Sequence, residues 1–319
     1  MTKSVKNVMK GASGLGTVRA RLSCLDAVRS ESSLSLNGTL GCAGKKKTMK
    51  KLMIAASAAL CAAVGFGDGI TSANVVGYNT INITKEYTLL TIAFNAVDGA
   101  GIDIQNAFPY GEGMTKGLSV SEGDNIQIMT EDGSYETYFL SNGKFGKGGV
   151  NYNEALDGKW SLMGKNEVAA RKLDTGTTFW YLARGAKEKP FSLTVAGAVS
   201  NSESETYTIN KQYTLIGCPY PCEVAINGGI EVIGGTTGLT VSEADNIQIM
   251  TDEGGYDTYF LSNGRFGKGG ANYDETLDGK WSSMGMNTAT SAKFPVGKGA
   301  WYLSRSKSGS VKFINPIAE

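Results

Sequence analysis

The side chains that could do chemistry in this sequence are few in kind, and histidine is not among them: none of the 319 residues is His. That removes Ser-His-Asp and Cys-His nucleophilic arrangements, and it removes imidazole metal ligands. Four groups remain: strand aromatics, turn carboxylates, a glycine-rich loop and one close pair of cysteines. The aromatics Tyr135, Tyr138, Phe139, Phe145, Tyr152 and Trp160 recur as Tyr256, Tyr259, Phe260, Phe266, Tyr273 and Trp281. Most rings of this kind pack across strands or into a core. Phe145, Tyr152 and Trp160, with Phe266, Tyr273 and Trp281, sit on or beside loops. They are therefore the candidate ligand-binding residues, suited to stacking on sugar rings.

The carboxylates gather near turns: Glu122, Asp124, Glu131, Asp132, Glu154 and Asp157, with counterparts 121 residues on. Calcium wants several loop oxygens, but no EF-hand spacing is present, so these read as solvated turn acids and no metal is expected. A glycosidase needs two carboxylates facing across a cleft, and nothing here pairs any two. The loop GKFGKGG at 143–149, repeated as GRFGKGG at 264–270, lacks the Lys-Ser/Thr ending of a P-loop and a following helix. Its glycines read as turn and bulge residues. Cys218 and Cys222 form the only cysteine pair beyond residue 67. In an exported chain that pair predicts a local disulfide, and without C-x-x-C spacing it is a staple rather than a redox centre. Trp180 with Arg184, and Trp301 with Arg305, share one face of a WYLxR strand, where a cation–π stack is expected. No cofactor is implied, and the chain is not expected to be an enzyme.

The elements that position these residues come from a tandem duplication. Residues 117–166 and 238–287 align without a gap at an offset of 121, and 38 of the 50 positions are identical. A match this long has to be read before anything else. The offset is 126 at YTLL (Tyr87) against YTLI (Tyr213), so five residues are lost between there and Gly238. Alternating, β-branched segments predict strands at 74–83, 87–94, 124–130, 135–141, 159–163, 177–184 and 191–199, with a short helix near 102–108. Asn142-Gly143 is expected to be a hairpin turn, and Val195-Ala196-Gly197 resembles a strand that also opens the second copy. No long helix is credible. The fold class is therefore all-β: two tandem antiparallel sandwich or barrel-like modules, at 68–200 and 201–319.

The front of the chain differs in character. Met49-Lys50-Lys51 precedes LMIAASAALCAAVGFG, a basic region followed by a short apolar run and small residues, so 49–67 reads as a secretory signal peptide. The run falls short of the ~20 apolar residues of a span, and no transmembrane segment is expected in the mature chain. Residues 1–48 read as a disordered or mis-assigned extension. Residues 1–67 hold 11 basic and 2 acidic residues; subtracted from totals of 31 and 30, they leave 20 basic and 28 acidic, a balance of −8. An acidic chain argues against nucleic acid as a partner.

The order VVGY, YTL, DNIQIM, KW, FWYLAR, LTVAGAV over residues 74–319 resembles a poorly characterised class of secreted, bacterial β-rich tandem-repeat proteins. The resemblance implies export and β architecture, and no activity. The expectation is an exported envelope or extracellular structural or binding module without catalysis. The alternative is a polysaccharide-binding, lectin-like protein using equivalent aromatic loops in each repeat. A glycan-active enzyme is the third and weakest reading. Polysaccharide or other envelope proteins are the partners these readings imply.

Overall fold

Alternation along each strand sends one set of side chains into a core and the other set outward, and the sheets follow from that. The structure, a computed structural model, describes residues 75–318. The expected extension at 1–48 and signal peptide at 49–67 lie outside the described residues. The first half contains β1 (Val76–Ile83), β2 (Tyr87–Thr91), β3 (Ile102–Asp103), β4 (Asn125–Met129), β5 (Tyr135–Phe145), β6 (Asn151–Leu162), β7 (Lys172–Leu173), β8 (Thr178–Leu182) and β9 (Phe191–Ala198). An antiparallel five-stranded sheet runs β2-β8-β4-β5-β6, and β1 pairs with β9. Ile81, Ile83, Leu193 and Val195 from the small sheet meet Leu90, Ile126, Ile128, Leu140, Phe179 and Tyr181 from the large one in a single core.

The second half repeats the plan with β10 (Ser204–Ile209), β11 (Tyr213–Gly217), β12 (Val224–Ala225), β13 (Ile230–Ile233), β14 (Asn246–Met250), β15 (Tyr256–Phe266), β16 (Asn272–Ser283), β17 (Lys293–Phe294), β18 (Gly299–Leu303) and β19 (Gly309–Ile314). Its five-stranded sheet runs β11-β18-β14-β15-β16, the same order, over its own core of Ile209, Ile216, Ile247, Leu261, Tyr302 and Phe313. The chain is all-β in antiparallel sheets, and none of its sheets closes into a barrel. Every strand from β4 to β8 has a counterpart of matching length 121 residues on. Among the described residues no helix is long and apolar enough to cross a membrane.

Three sequence expectations change. Asn142-Gly143 is not a hairpin turn: β5 runs through it, with register shifts at Leu140/Asn142 and Asn142/Lys144. Gly143 and Gly158 take the left-handed φ of 78° and 71° that such bulges need, and Asn142 Oδ1 caps the bulge by accepting from Lys144 N at 3.0 Å. β6 likewise starts at Asn151, eight residues before the strand expected at 159–163, and runs through Asp157-Gly158. The second half is opened by its own strand β10, while β9 stays with β1. Most of the length difference between the copies is also placed: ten residues separate β2 from β3, and six separate β11 from β12.

The two halves, over the described residues, belong to one compact unit. They meet through the outer faces of the large sheets, and several of the contacts have a two-fold counterpart. Trp180 lies 6.5 Å from its own equivalent, Trp301. Lys211 Nζ donates to Thr130 O at 2.8 Å, and Lys85 Nζ donates to Thr251 O. Leu89, Leu182, Leu215 and Leu303 are buried here yet belong to neither core. At the centre the symmetry breaks in a complementary way. Thr91 and Thr178, paired across β2 and β8, face Gly217 and Gly299, paired across β11 and β18. These glycines stand at the positions equivalent to the threonines, so one half supplies the knobs and the other the holes.

Candidate functional site

The two tryptophans at the sheet end are set in the same way. Gln105, in a helical turn at Ile104–Ala107, accepts from Trp160 N at 2.9 Å and donates to Trp160 O at 2.8 Å. Asn227 does the same for Trp281, accepting at 2.9 Å and donating at 2.9 Å. Both indoles are thus held in equivalent places, and both are buried, at 1% and 2% exposure.

What covers them differs. In the first half Trp160 Nε1 donates to Phe108 O at 2.6 Å. The chain then turns through Pro109, and the Tyr110 ring lies over Gly158, within 3.3 Å of where a β-carbon would stand. Lys116 Nζ sits 4.8 Å above that ring and reaches Asp157 Oδ1 at 2.7 Å, while Tyr152 OH donates to Asp157 Oδ2 at 3.4 Å. The Lys116 ammonium holds the Asp157 carboxyl below its ordinary range, and Asp157 in turn raises Lys116. The cluster of Tyr110, Lys116, Tyr152 and Asp157 closes this end of the half.

In the second half Ile230 to Ile233 is a strand instead. A proline at the position of Glu231 would have no N–H to give to a sheet, whereas Glu231 pairs with Lys312 on β19 and forms an ion pair with it at 3.3 Å. β13 therefore leaves the tryptophan and joins a three-stranded sheet of order β10-β19-β13. Nothing lies within 4 Å of a β-carbon at Gly279, the counterpart of Gly158. Trp281 Nε1 has no hydrogen-bond acceptor among the described residues. A cleft of about 480 Å³ opens there, lined by Ile230, Val232, Thr237, Gly279, Lys280 and Trp281.

The residues singled out from the sequence do not converge. Trp160 and Trp281 are core residues, Phe145 and Phe266 are half-buried, and Tyr152 and Tyr273 are exposed at 58% and 55%. Each Tyr lies at one end of its long strand and each Trp near the other, so the three do not form one aromatic surface. Nor are the two copies equivalent: Tyr273 keeps its bond to Asp278 at 3.2 Å, but Thr237 replaces Lys116 and Val232 replaces Tyr110. Tyr110, Lys116 and Gly279 were missed by sequence reasoning. Their signal lay in the divergent stretch before Gly238, where Pro109-Tyr110 faces Glu231-Val232.

The disulfide expected between Cys218 and Cys222 is absent, and both are free thiols. Cys218 Sγ donates instead to Tyr220 O at 3.5 Å and Cys222 O at 3.2 Å, inside the turn that the two prolines make. Burial pushes the Cys218 thiol up to about 12 and also raises Cys222. The expected cation–π stacks are replaced too. Arg184 binds Val120 O at 2.6 Å, Arg305 binds Ala244 O at 3.0 Å, and Trp180 and Trp301 pack edge-on against Tyr87 and Tyr213.

Asp124 and Asp245, read as solvated turn acids, are fully buried. Asp124 accepts from Arg184 N at 2.8 Å and Tyr181 OH at 3.2 Å; Asp245 accepts from Arg305 N at 2.6 Å and Tyr302 OH at 2.7 Å. They are structural clips joining β4 and β14 to the ends of β8 and β18. No group of acids or thiols among the described residues could hold a metal ion. Comparison with known families, curated proteins and solved structures finds no match.

Proposed function

We propose that this chain is an exported binding module of the cell envelope or extracellular space, that it does no catalysis, and that it binds through the second half. One observation carries the reading: the Gly279–Trp281 cleft is open where the same place in the first half is filled by the chain's own Tyr110. The export part rests on residues 49–67, and it fits the resemblance to secreted bacterial β-rich proteins. The Asp124 and Asp245 carboxylates are spent on structure, in their clips to the ends of β8 and β18, which supports the non-catalytic reading.

The experiment is a binding screen of the purified chain against peptide and glycan arrays, repeated with Trp281→Phe. Binding that weakens with Trp281→Phe and not with Trp160→Phe supports the second-half site. Binding indifferent to both refutes it.

A second reading, polysaccharide binding, is favoured by the exposed rings of Tyr110, Tyr152 and Tyr273. On that reading Tyr152→Ala with Tyr273→Ala abolishes retention on a polysaccharide affinity gel, and Trp281→Phe leaves it intact.

A further inference from the structure

The first half shows what the cleft of the second half is shaped to take. Its tryptophan is held by the same side-chain amide bonds, so its indole N–H points to the same place. In the first half that N–H meets a backbone carbonyl, Phe108 O, and two residues further on an aromatic ring covers the bulge glycine. In the second half neither seat is taken by the chain: Trp281 Nε1 lacks an acceptor among the described residues, and the space over Gly279 is open. Trp281 Nε1 is not one of the buried polar atoms left without a partner, so it meets water through the cleft, and a ligand that closes the cleft must bring an acceptor in place of that water. The opening is built, not frayed, because β13 is held away by four paired residues and the Glu231–Lys312 ion pair.

We propose that the cleft binds an extended peptide segment of a partner protein, one that presents a backbone carbonyl to Trp281 Nε1 and an aromatic side chain to the face of Gly279. This deepens the binding reading above and rests on it. The chain's own Ala107–Glu112 is the template: a carbonyl, a proline that keeps the backbone extended and a tyrosine in series. A proline-containing segment also loses less freedom on docking than an unconstrained one. A sugar could offer hydroxyl acceptors to the same N–H, but the first half provides a worked example of peptide in this seat and none of sugar.

The test uses the full chain with its four tryptophans labelled with nitrogen-15. Trp281→Phe and Trp160→Phe each assign one indole resonance by its loss, and every other reading is taken on the unsubstituted chain. Two results are expected. First, the Trp281 indole proton exchanges with solvent faster than that of Trp160 by at least about tenfold, the factor one lost hydrogen bond gives. Second, the capped peptide Ala-Phe-Pro-Tyr-Gly-Glu shifts the Trp281 resonance saturably and leaves Trp160 in place, and the same peptide with Tyr replaced by Ala binds about tenfold more weakly.

If soluble oligosaccharides move the Trp281 resonance and the peptide does not, the peptide assignment is overturned while the cleft stands as the site. If neither moves it at millimolar concentration and the Trp281 proton is as protected as that of Trp160, both the cleft and the peptide are refuted.

Discussion

Replacing Gly217 with threonine should destabilise the chain, and replacing Thr91 with glycine should rescue it. A β-carbon on Gly217 would stand 2.7 Å from Thr91 Cβ, and closer still to Thr91 Oγ1. Neither Gly217 nor Gly299 has a left-handed φ, so the cost is steric contact and not backbone strain. Thr91 is buried, at 3% exposure, and its hydroxyl is bonded to Thr178 Oγ1 at 2.9 Å, so it cannot swing away without breaking that bond. Overpacking of this kind costs about 1–3 kcal/mol, and backbone-to-side-chain overlap places it near the upper end. Thr91→Gly alone removes a buried methyl and hydroxyl and adds a flexible residue, for about 1–2 kcal/mol. Together the substitutions exchange knob for hole and conserve volume. A double-mutant cycle should therefore show a favourable coupling of about 2 kcal/mol, within the range for residues in contact. Urea unfolding followed by tryptophan fluorescence reads this directly, because Trp180 and Trp301 lie in the same interface. If the double variant is no more stable than Gly217→Thr, the halves do not interlock through these residues.

Three further outcomes follow from the buried groups. Burial raises the phenols of Tyr181, Tyr207 and Tyr302 above their ordinary value near 10. A raised folded-state pKa contributes stability that is intact below ~10 and is lost as pH climbs toward the folded value, by up to about 1.4 kcal/mol per pH unit per tyrosine. Melting temperatures should thus be level up to about pH 9 and fall steeply beyond about pH 10; a flat profile to about pH 11 would contradict the burial. Asp245→Ala strands Tyr302 OH and Arg305 N without their acceptor, at a cost of about 2–4 kcal/mol measured by denaturant titration, and Asp124→Ala should behave alike. Alkylation mapped by mass spectrometry should modify Cys222 well before the buried Cys218, and equal rates would mean the Pro-Tyr-Pro turn opens in the native state.

The fold was legible in this sequence because strand periodicity and the ungapped repeat are local signals. Ile126 and Ile128, two apart in β4, point to the core as alternation requires, and β14 copies them. The bulges were misread because Asn-Gly and Asp-Gly satisfy a tight turn and a bulge with the same left-handed glycine, and only the partner strand decides between them. Trp160 looked exposed because it neighbours a glycine-rich segment, yet the residue that covers it, Phe108, lies 52 residues earlier. The burial of Asp124 was hidden for the same reason: its donors Tyr181 and Arg184 lie 57 and 60 residues further on. Contacts at such separation leave no mark in spacing or composition. They do leave one when the two copies are aligned, since Thr91 stands against Gly217 in the otherwise similar YTLLT and YTLIG, and Tyr110 stands against Val232 where the copies diverge.

Those differences bear on why the duplication persists with uneven divergence. The near-identical span from 117 to 166 carries β4, β5 and β6, whose inward residues build each core and whose bulge glycines cannot take a side chain without strain. Change there is costly in either copy. Outside that span the copies differ at most positions, and two of the differences break the symmetry in a complementary direction. At the interface, two threonines in one half face two glycines in the other. Two copies of the first half brought together would set Thr91 against Thr91, and two copies of the second would leave a void, so the first half fits only the second. At the sheet end, Tyr110 closes over Gly158 beside one tryptophan, while β13 leaves the space over Gly279 beside the other open. A two-fold arrangement of identical halves would offer two sealed ends or two open ones. The observed chain has one of each, held in a fixed relation by an interlocked interface, and on the proposed binding reading this division makes a single cleft the expected stoichiometry in place of two.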